Sequence, residues 1–149
     1  MDEHTATVKG MNLTISRKFA VEVARFIRGK ELSAAKKMLE GVVHQTLAVP
    51  FHRYNFDLGH KRGAKGPGRY PKKAARALLQ LLCSAEANAE NKGLDTASLY
   101  VARALVHKGN TVSKPGRHRG RRGKRTHVEL VLAEREKRKE KEKTKKETK

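Results

Sequence analysis

The sequence predicts an α+β domain of three helices and three short strands, two of them paired antiparallel. Three observations support this. Apolar residues recur at helical spacing in three segments, they alternate with polar residues in three shorter ones, and two glycine-rich stretches are rich in cations, the second of them with nothing to bury. With 149 residues, only 37% of them hydrophobic, the chain supports a single core and leaves some segments outside it. Its 35 Lys+Arg against 15 Asp+Glu give a net charge of +20. Such a chain repels itself and attracts polyanions, so nucleic acid or an anionic surface is the expected partner class and a small neutral substrate is not.

Met11, Leu13 and Ile15 alternate with polar residues and predict a short strand with one buried face, with Gly10 as a candidate bulge. Ser16 is placed to cap a helix in which Phe19, Val23, Phe26 and Ile27 share a face, and Gly29 to end it. Arg17, Lys18, Arg25 and Arg28 decorate that helix. Ser33 is the expected cap of a second amphipathic helix through Ala35, Met38, Leu39, Val42 and Leu47, with Lys36 and Lys37 on its polar side and Pro50 as its stop.

Across residues 50–70 the periodicity vanishes. Gly59, Gly63, Gly66, Pro67 and Gly68 are interleaved with Arg53, Lys61, Arg62, Lys65 and Arg69, which predicts a basic loop. Loops beyond about 12–15 residues are usually functional or disordered. Phe51, Tyr54, Phe56 and Tyr70 within it suit either stacking on bases or anchoring the loop to the body. Residues 63–70 approximate the spacing of a nucleotide-binding phosphate loop. They lack its Lys, its metal-binding hydroxyl and a preceding strand, so an NTPase is not supported.

Pro71 suits the first position of the longest helix, whose stripe is Ala75, Leu78, Leu79, Leu82, Ala85 and Ala89, closed by Asn91, Lys92 and Gly93. Lys72, Lys73 and Arg76 lie in its first turns, where the helix dipole disfavours cations, which points to an external anion.

Two extended segments follow. Residues 99–108 place Leu99, Val101 and Leu105 on one face and Tyr100, Ala102, Ala104 and Val106 on the other, and residues 126–133 align Val128, Leu130 and Leu132. Between them lie Lys114, Arg117, His118, Arg119, Arg121, Arg122, Lys124 and Arg125, with no acidic residue. As a two-stranded ribbon of about eight residues per arm, this segment reaches about 25 Å. An isolated ribbon is marginal and like charges across it repel, so it is expected to take its order from surrounding phosphate, Arg serving bidentate contacts. The bland reading is a disordered basic loop. From residue 134 to 149 the chain is a charged tail, either a solvated helix or a frayed segment, with no assigned contacts.

Other classes find little support. The longest apolar runs are far below membrane-spanning length, and Asp2 and Glu3 stand where a signal peptide carries positive charge, so a cytoplasmic protein is expected. Cys83 is expected as a small core residue. The histidines (His4, His44, His52, His60, His107, His118 and His127) show no ligand spacing and read as surface, core or RNA contacts. No metal, no cofactor and no catalytic constellation is expected.

Several ungapped blocks in order carry a resemblance: SRKFAVEVARFIRGK (16–30), GRYPKKAA (68–75), SAEANAENKGLD (84–95), LYV (99–101) and, after the basic segment, HVELVLAE (127–134). Together they resemble the large-subunit ribosomal protein family numbered twenty-two, in its archaeal form, called protein seventeen in eukaryotes. The resemblance runs through residues 11–134. It implies three helices packed on a small antiparallel three-stranded sheet, with an extended basic β-hairpin over residues 107–126 that lines the nascent-peptide exit tunnel. A single domain of residues 1–133 is then followed by the tail 134–149. The resemblance implies a non-enzymatic constituent of the large ribosomal subunit that binds 23S-type rRNA and supports assembly. The nascent peptide and neighbouring large-subunit proteins become further partners. By position, Arg17, Lys18, Lys30, Arg69, Lys72, Lys73 and the hairpin cations are implied as rRNA contacts, while Leu78, Leu82, Leu130 and Leu132 hold the body. One departure is that the segment between His107 and His127 is shorter than in the family and lacks its aromatic, Pro-rich tip, so rRNA binding transfers more directly than the tunnel contact. The alternative from another class is a general nucleic-acid or chromatin-like binder.

Overall fold

The computed structural model describes residues 4–64, 66–117 and 120–135. Strand β1 (Thr5–Leu13) leads into α1 (Arg17–Ile27) and α2 (Leu32–Val43), and α3 (Lys72–Asn91) precedes β4 (Leu99–Lys108) and β7 (Thr126–Glu134). Between α2 and α3 lie the two-residue strands β2 (Val49–Pro50) and β3 (Gly68–Arg69). Between β4 and β7 lie β5 (Val112–Ser113) and β6 (Arg122–Gly123). The main sheet has the order β1-β7-β4 and is antiparallel throughout.

Helix α3 packs on β1 and β7, α1 packs on β4, and α2 lies against α3. The expected α+β arrangement of three helices on a small three-stranded sheet is therefore present. Because β7 is central, its inward residues Val128, Leu130 and Leu132 meet the helices at the middle of the core, with Leu78 and Leu82 opposite.

The helix stripes lie where periodicity put them, except that α2 ends at Val43, with Gln45 at φ 62° turning the chain, so Leu47 lies outside it and Pro50 belongs to β2 instead of stopping the helix; the caps also differ. Helix α2 begins at Leu32 with Glu31 in the cap position, and Ser33 lies inside the first turn. Glu31 is held extended by its bridge to Tyr100, so the chain turns helical directly after it. Pro71 is likewise a cap, with Lys72 the first helical residue of α3. The helix ends in a Schellman arrangement: Gly93 has φ of +72°, its N–H donates to the Glu90 carbonyl, and the Leu94 N–H donates to that of Ala89. Cys83 is exposed, contrary to the core expectation. One residue past buried Leu82, it is turned about 100° away from the packed stripe.

Two strands contain irregularities that alternation alone misplaces. β1 starts earlier than expected and buries Ala6 and Gly10 on its inward side. The register then shifts between Gly10 and Leu13, with Asn12 at φ 53°, so Met11 is 64% exposed while Ile15 returns to the core. In β4 the shift falls between Val101 and Arg103. Leu99 and Val101 face inward before it and Ala104 after it, which leaves Leu105 41% exposed rather than on the face of Leu99.

The loop over residues 50–70 has more structure than expected. β2 pairs with β3, His60 bridges Pro67, and the Phe51 N–H donates to the Pro67 carbonyl at 2.9 Å. The segment after β4 forms a hairpin. Lys108 pairs with Thr126, Val112 with Gly123 and Ser113 with Arg122, so the first arm carries one residue more than the second near its root. The Lys114 N–H reaches the Arg121 carbonyl at 3.0 Å. Glu134 closes β7, and the Arg135 N–H donates to Ser98. The remainder of the charged tail, residues 136–149, and the terminal Asp2 and Glu3 lie outside the described residues.

Candidate nucleic-acid interface

The turn from β1 into α1 places Thr14, Ile15 and Ser16 at the floor of a surface groove. Its walls come from four distant parts of the chain. Arg17 and Lys18 belong to the first turn of α1, Lys72, Lys73 and Arg76 to the start of α3, Lys108 to the end of β4, and Lys114, Arg122, Lys124 and Arg125 to the hairpin. Three concavities share walls here: Lys124 and Arg125 line the first and second, and Lys73 lines the second and third. Among the described residues no acidic side chain lines any of them.

Both helices that start at the groove lack acidic residues in their first turns. Their free N–H groups and the positive ends of their dipoles add to the cations, which is the electrostatics of an anion site. The floor is tied to the sheet from below, where Thr126, fully buried, donates its Oγ1 hydrogen to the Ile15 carbonyl at 2.9 Å. Gly109 sits at the hairpin root with its N–H on the Arg125 carbonyl at 2.9 Å. A Cβ there would stand 3.0 Å from the Arg125 carbonyl carbon.

A second basic surface lies along α1. Phe51 is 2% exposed and meets Phe19 edge-on at 5.5 Å between centroids, anchoring the root of the loop. The Arg69 guanidinium lies 5.8 Å from the centre of the Phe19 ring. Lys18 and Arg53 lie 5.6 and 5.7 Å from the centre of the Tyr54 ring. Phe56, in contrast, is 89% exposed, so the loop's aromatics divide between anchoring and solvent-facing positions.

Of the residues singled out from sequence, Arg17, Lys18, Lys72, Lys73, Lys114, Arg122, Lys124 and Arg125 converge on the groove. Arg53, from the loop, lies over the Tyr54 ring that Lys18 shares, and Arg69, from β3, over Phe19 of α1, while Lys61, Arg62, Arg117 and Arg121 are exposed farther along the loop and hairpin. Lys30 lies beyond the opposite end of α1, its backbone bonded to Val101, and is not part of this cluster. Lys65, His118 and Arg119 fall outside the described residues. Sequence reasoning missed Lys108, which reads as the end of a strand, and Glu22, which reads as an ordinary helix acid. Glu22 was detectable: it stands three residues after Phe19 and four before Phe26, on the apolar stripe itself.

Among the described residues no group of His, Cys, Asp and Glu is arranged to hold a metal ion, and no helix is long and apolar enough to cross a membrane. The sequence profile of the family described as ribosomal protein L22p/L17e matches residues 8–133.

The chain belongs to the ribosomal protein L22p/L17e family. Relatives named large ribosomal subunit protein uL22 include that of Thermoplasma volcanium, 43% identical over 114 residues that make up 76% of each chain. That of Archaeoglobus fulgidus is 42% identical over 133 residues, 85% of this chain and 86% of the relative. That of Staphylothermus marinus is 44% identical over 133 residues, 83% and 85% of the two chains. The L22p/L17e match begins within β1 and ends within β7, so it takes in the groove and the hairpin together.

Proposed function

We propose that this L22p/L17e protein is a structural constituent of the large subunit of the cytoplasmic ribosome, where it binds 23S-type rRNA and supports assembly. The groove at the root of the hairpin takes the sugar–phosphate backbone, and the hairpin extends from it toward the nascent-peptide exit tunnel. Neighbouring large-subunit proteins and the nascent peptide are its further partners, and its work is not catalytic. The observation that carries this reading is the convergence of cations from four separate segments on two helix N-termini, with no acid among the described residues that line the groove. Isolated, these charges repel one another; rRNA phosphates supply the counter-charge and let RNA segments of like charge approach a common surface.

The test is a filter-binding titration of the purified chain with large-subunit rRNA fragments across salt concentrations. With about ten phosphates neutralised, log K falls against log salt with a slope of about −7 to −9. A flat salt response, or equal affinity for duplex DNA, contradicts the reading.

A further inference from the structure

Glu22 is 1% exposed, and each oxygen of its carboxylate is engaged by main chain of the basic loop. The His52 N–H donates to Oε2 at 3.1 Å, and the N–H groups of Arg53 and Tyr54 donate to Oε1 at 2.9 and 3.0 Å. Three consecutive amides thus converge on one anion. Among the described residues no cationic side chain forms an ion pair with Glu22, so backbone donors meet the demand of this buried charge. A net charge of +20 leaves no general reason to bury a carboxylate beneath a cationic loop, since doing so weakens the local attraction for phosphate.

What the carboxylate accomplishes is geometric. Lys18 is one helical turn before Glu22 on α1, and Tyr54, one of the three loop residues whose amides Glu22 holds, carries both Lys18 and Arg53 over its ring. Charge-assisted bonds to three successive amides fix the φ and ψ of that stretch and therefore the directions of the Arg53 and Tyr54 side chains. We propose that Glu22 is a positioning residue that pre-forms an RNA-backbone subsite made of Lys18, Arg53 and Tyr54, removing the ordering cost the loop otherwise meets on binding. The subsite's ligand is a phosphodiester, held by the two cations, which the Tyr54 ring carries and keeps in place through cation–π contact. This rests on the reading above that the chain binds rRNA.

A double-mutant cycle on the full-length protein tests it. Glu22→Gln keeps the shape and one acceptor oxygen but lacks the charge and the second. Binding to an rRNA fragment is measured for wild type, Arg53→Gln, Glu22→Gln and the double variant, with Arg121→Gln on the hairpin as the comparison. Arg53→Gln is expected to weaken binding about three- to tenfold in the wild-type background and by less than about twofold in Glu22→Gln, because the side chain there is no longer held in place. Arg121→Gln is expected to cost the same in both backgrounds. An equal cost of Arg53→Gln in both backgrounds overturns the positioning role. Full affinity in Arg53→Gln also overturns it and leaves rRNA binding intact; failure of the wild-type protein to bind the rRNA fragment overturns the rRNA reading itself. A second measurement needs no variant: in the native protein the amides of His52, Arg53 and Tyr54 are expected to exchange at least about tenfold more slowly than that of exposed Phe56, and equal exchange overturns the proposal.

Discussion

Thr126 and Ile15 are joined by a 2.9 Å hydrogen bond between a fully buried hydroxyl and a buried residue's carbonyl, 111 residues apart in the chain. The bond fastens the last strand, at the point where the hairpin returns to the body, to the turn that opens α1. Replacing Thr126 with Val keeps the shape and leaves that carbonyl without its partner. Urea unfolding is expected to show a loss of about 1–2 kcal/mol. Unchanged stability would mean that the floor of the groove is not held in this way.

Gly109 guards the same junction. A methyl group there meets the backbone of Arg125 at 3.0 Å, and that backbone is held by the Gly109 N–H. Gly109→Ala is expected to leave helical circular dichroism unchanged while weakening rRNA binding by at least about threefold, or ~0.7 kcal/mol. Wild-type affinity would show that the root of the hairpin has room to yield.

Gly10 lies where α3 crosses β1, and a Cβ on it would stand 2.9 Å from Leu81 Cδ1. Gly10→Ala is expected to cost about 1–3 kcal/mol, because Leu81 must leave its place. Combining it with Leu81→Ala should cost less than the sum of the single changes by about 1 kcal/mol, measured by chemical denaturation. Simple additivity would place the conflict elsewhere.

Arg121, Arg122 and Lys124 are exposed and contribute nothing to the core. Their joint replacement by Gln should leave the melting temperature within a few degrees of wild type. The salt dependence of rRNA binding should become shallower by about 2–3 units of slope. A collapse of helical signal would show that the hairpin belongs to the folded body.

The helices were legible because Leu78, Leu82, Ala85 and Ala89 obey one period and carry no competing pattern. The strands were legible as elements, and β7 also as a face through Val128, Leu130 and Leu132, but the faces of β1 and β4 were not. A single extra residue near Asn12, and another near Ala102, inverts every side chain beyond it, and alternation cannot register that. The pairing of Val49 and Pro50 with Arg69 and Gly68 was hidden, since two-residue strands have no period to detect. The cations themselves were evident, yet their gathering was not. Lys18, Lys73, Lys108 and Lys124 meet only because the sheet order brings the ends of α1, α3, β4 and the hairpin to one side. The place of Glu22 on the apolar stripe between Phe19 and Phe26 signalled its burial, but only the loop that covers it shows which amides it holds.

Lysine acetylation footprinting tests the groove most directly, comparing the free chain, the intact large subunit and the subunit after ribonuclease digestion. Lys18, Lys73, Lys108 and Lys124 are expected to be reactive in the free chain, protected at least about tenfold in the subunit, and reactive again once the RNA is digested. If these four lysines react in the intact subunit as fast as in the free chain, the groove does not hold RNA.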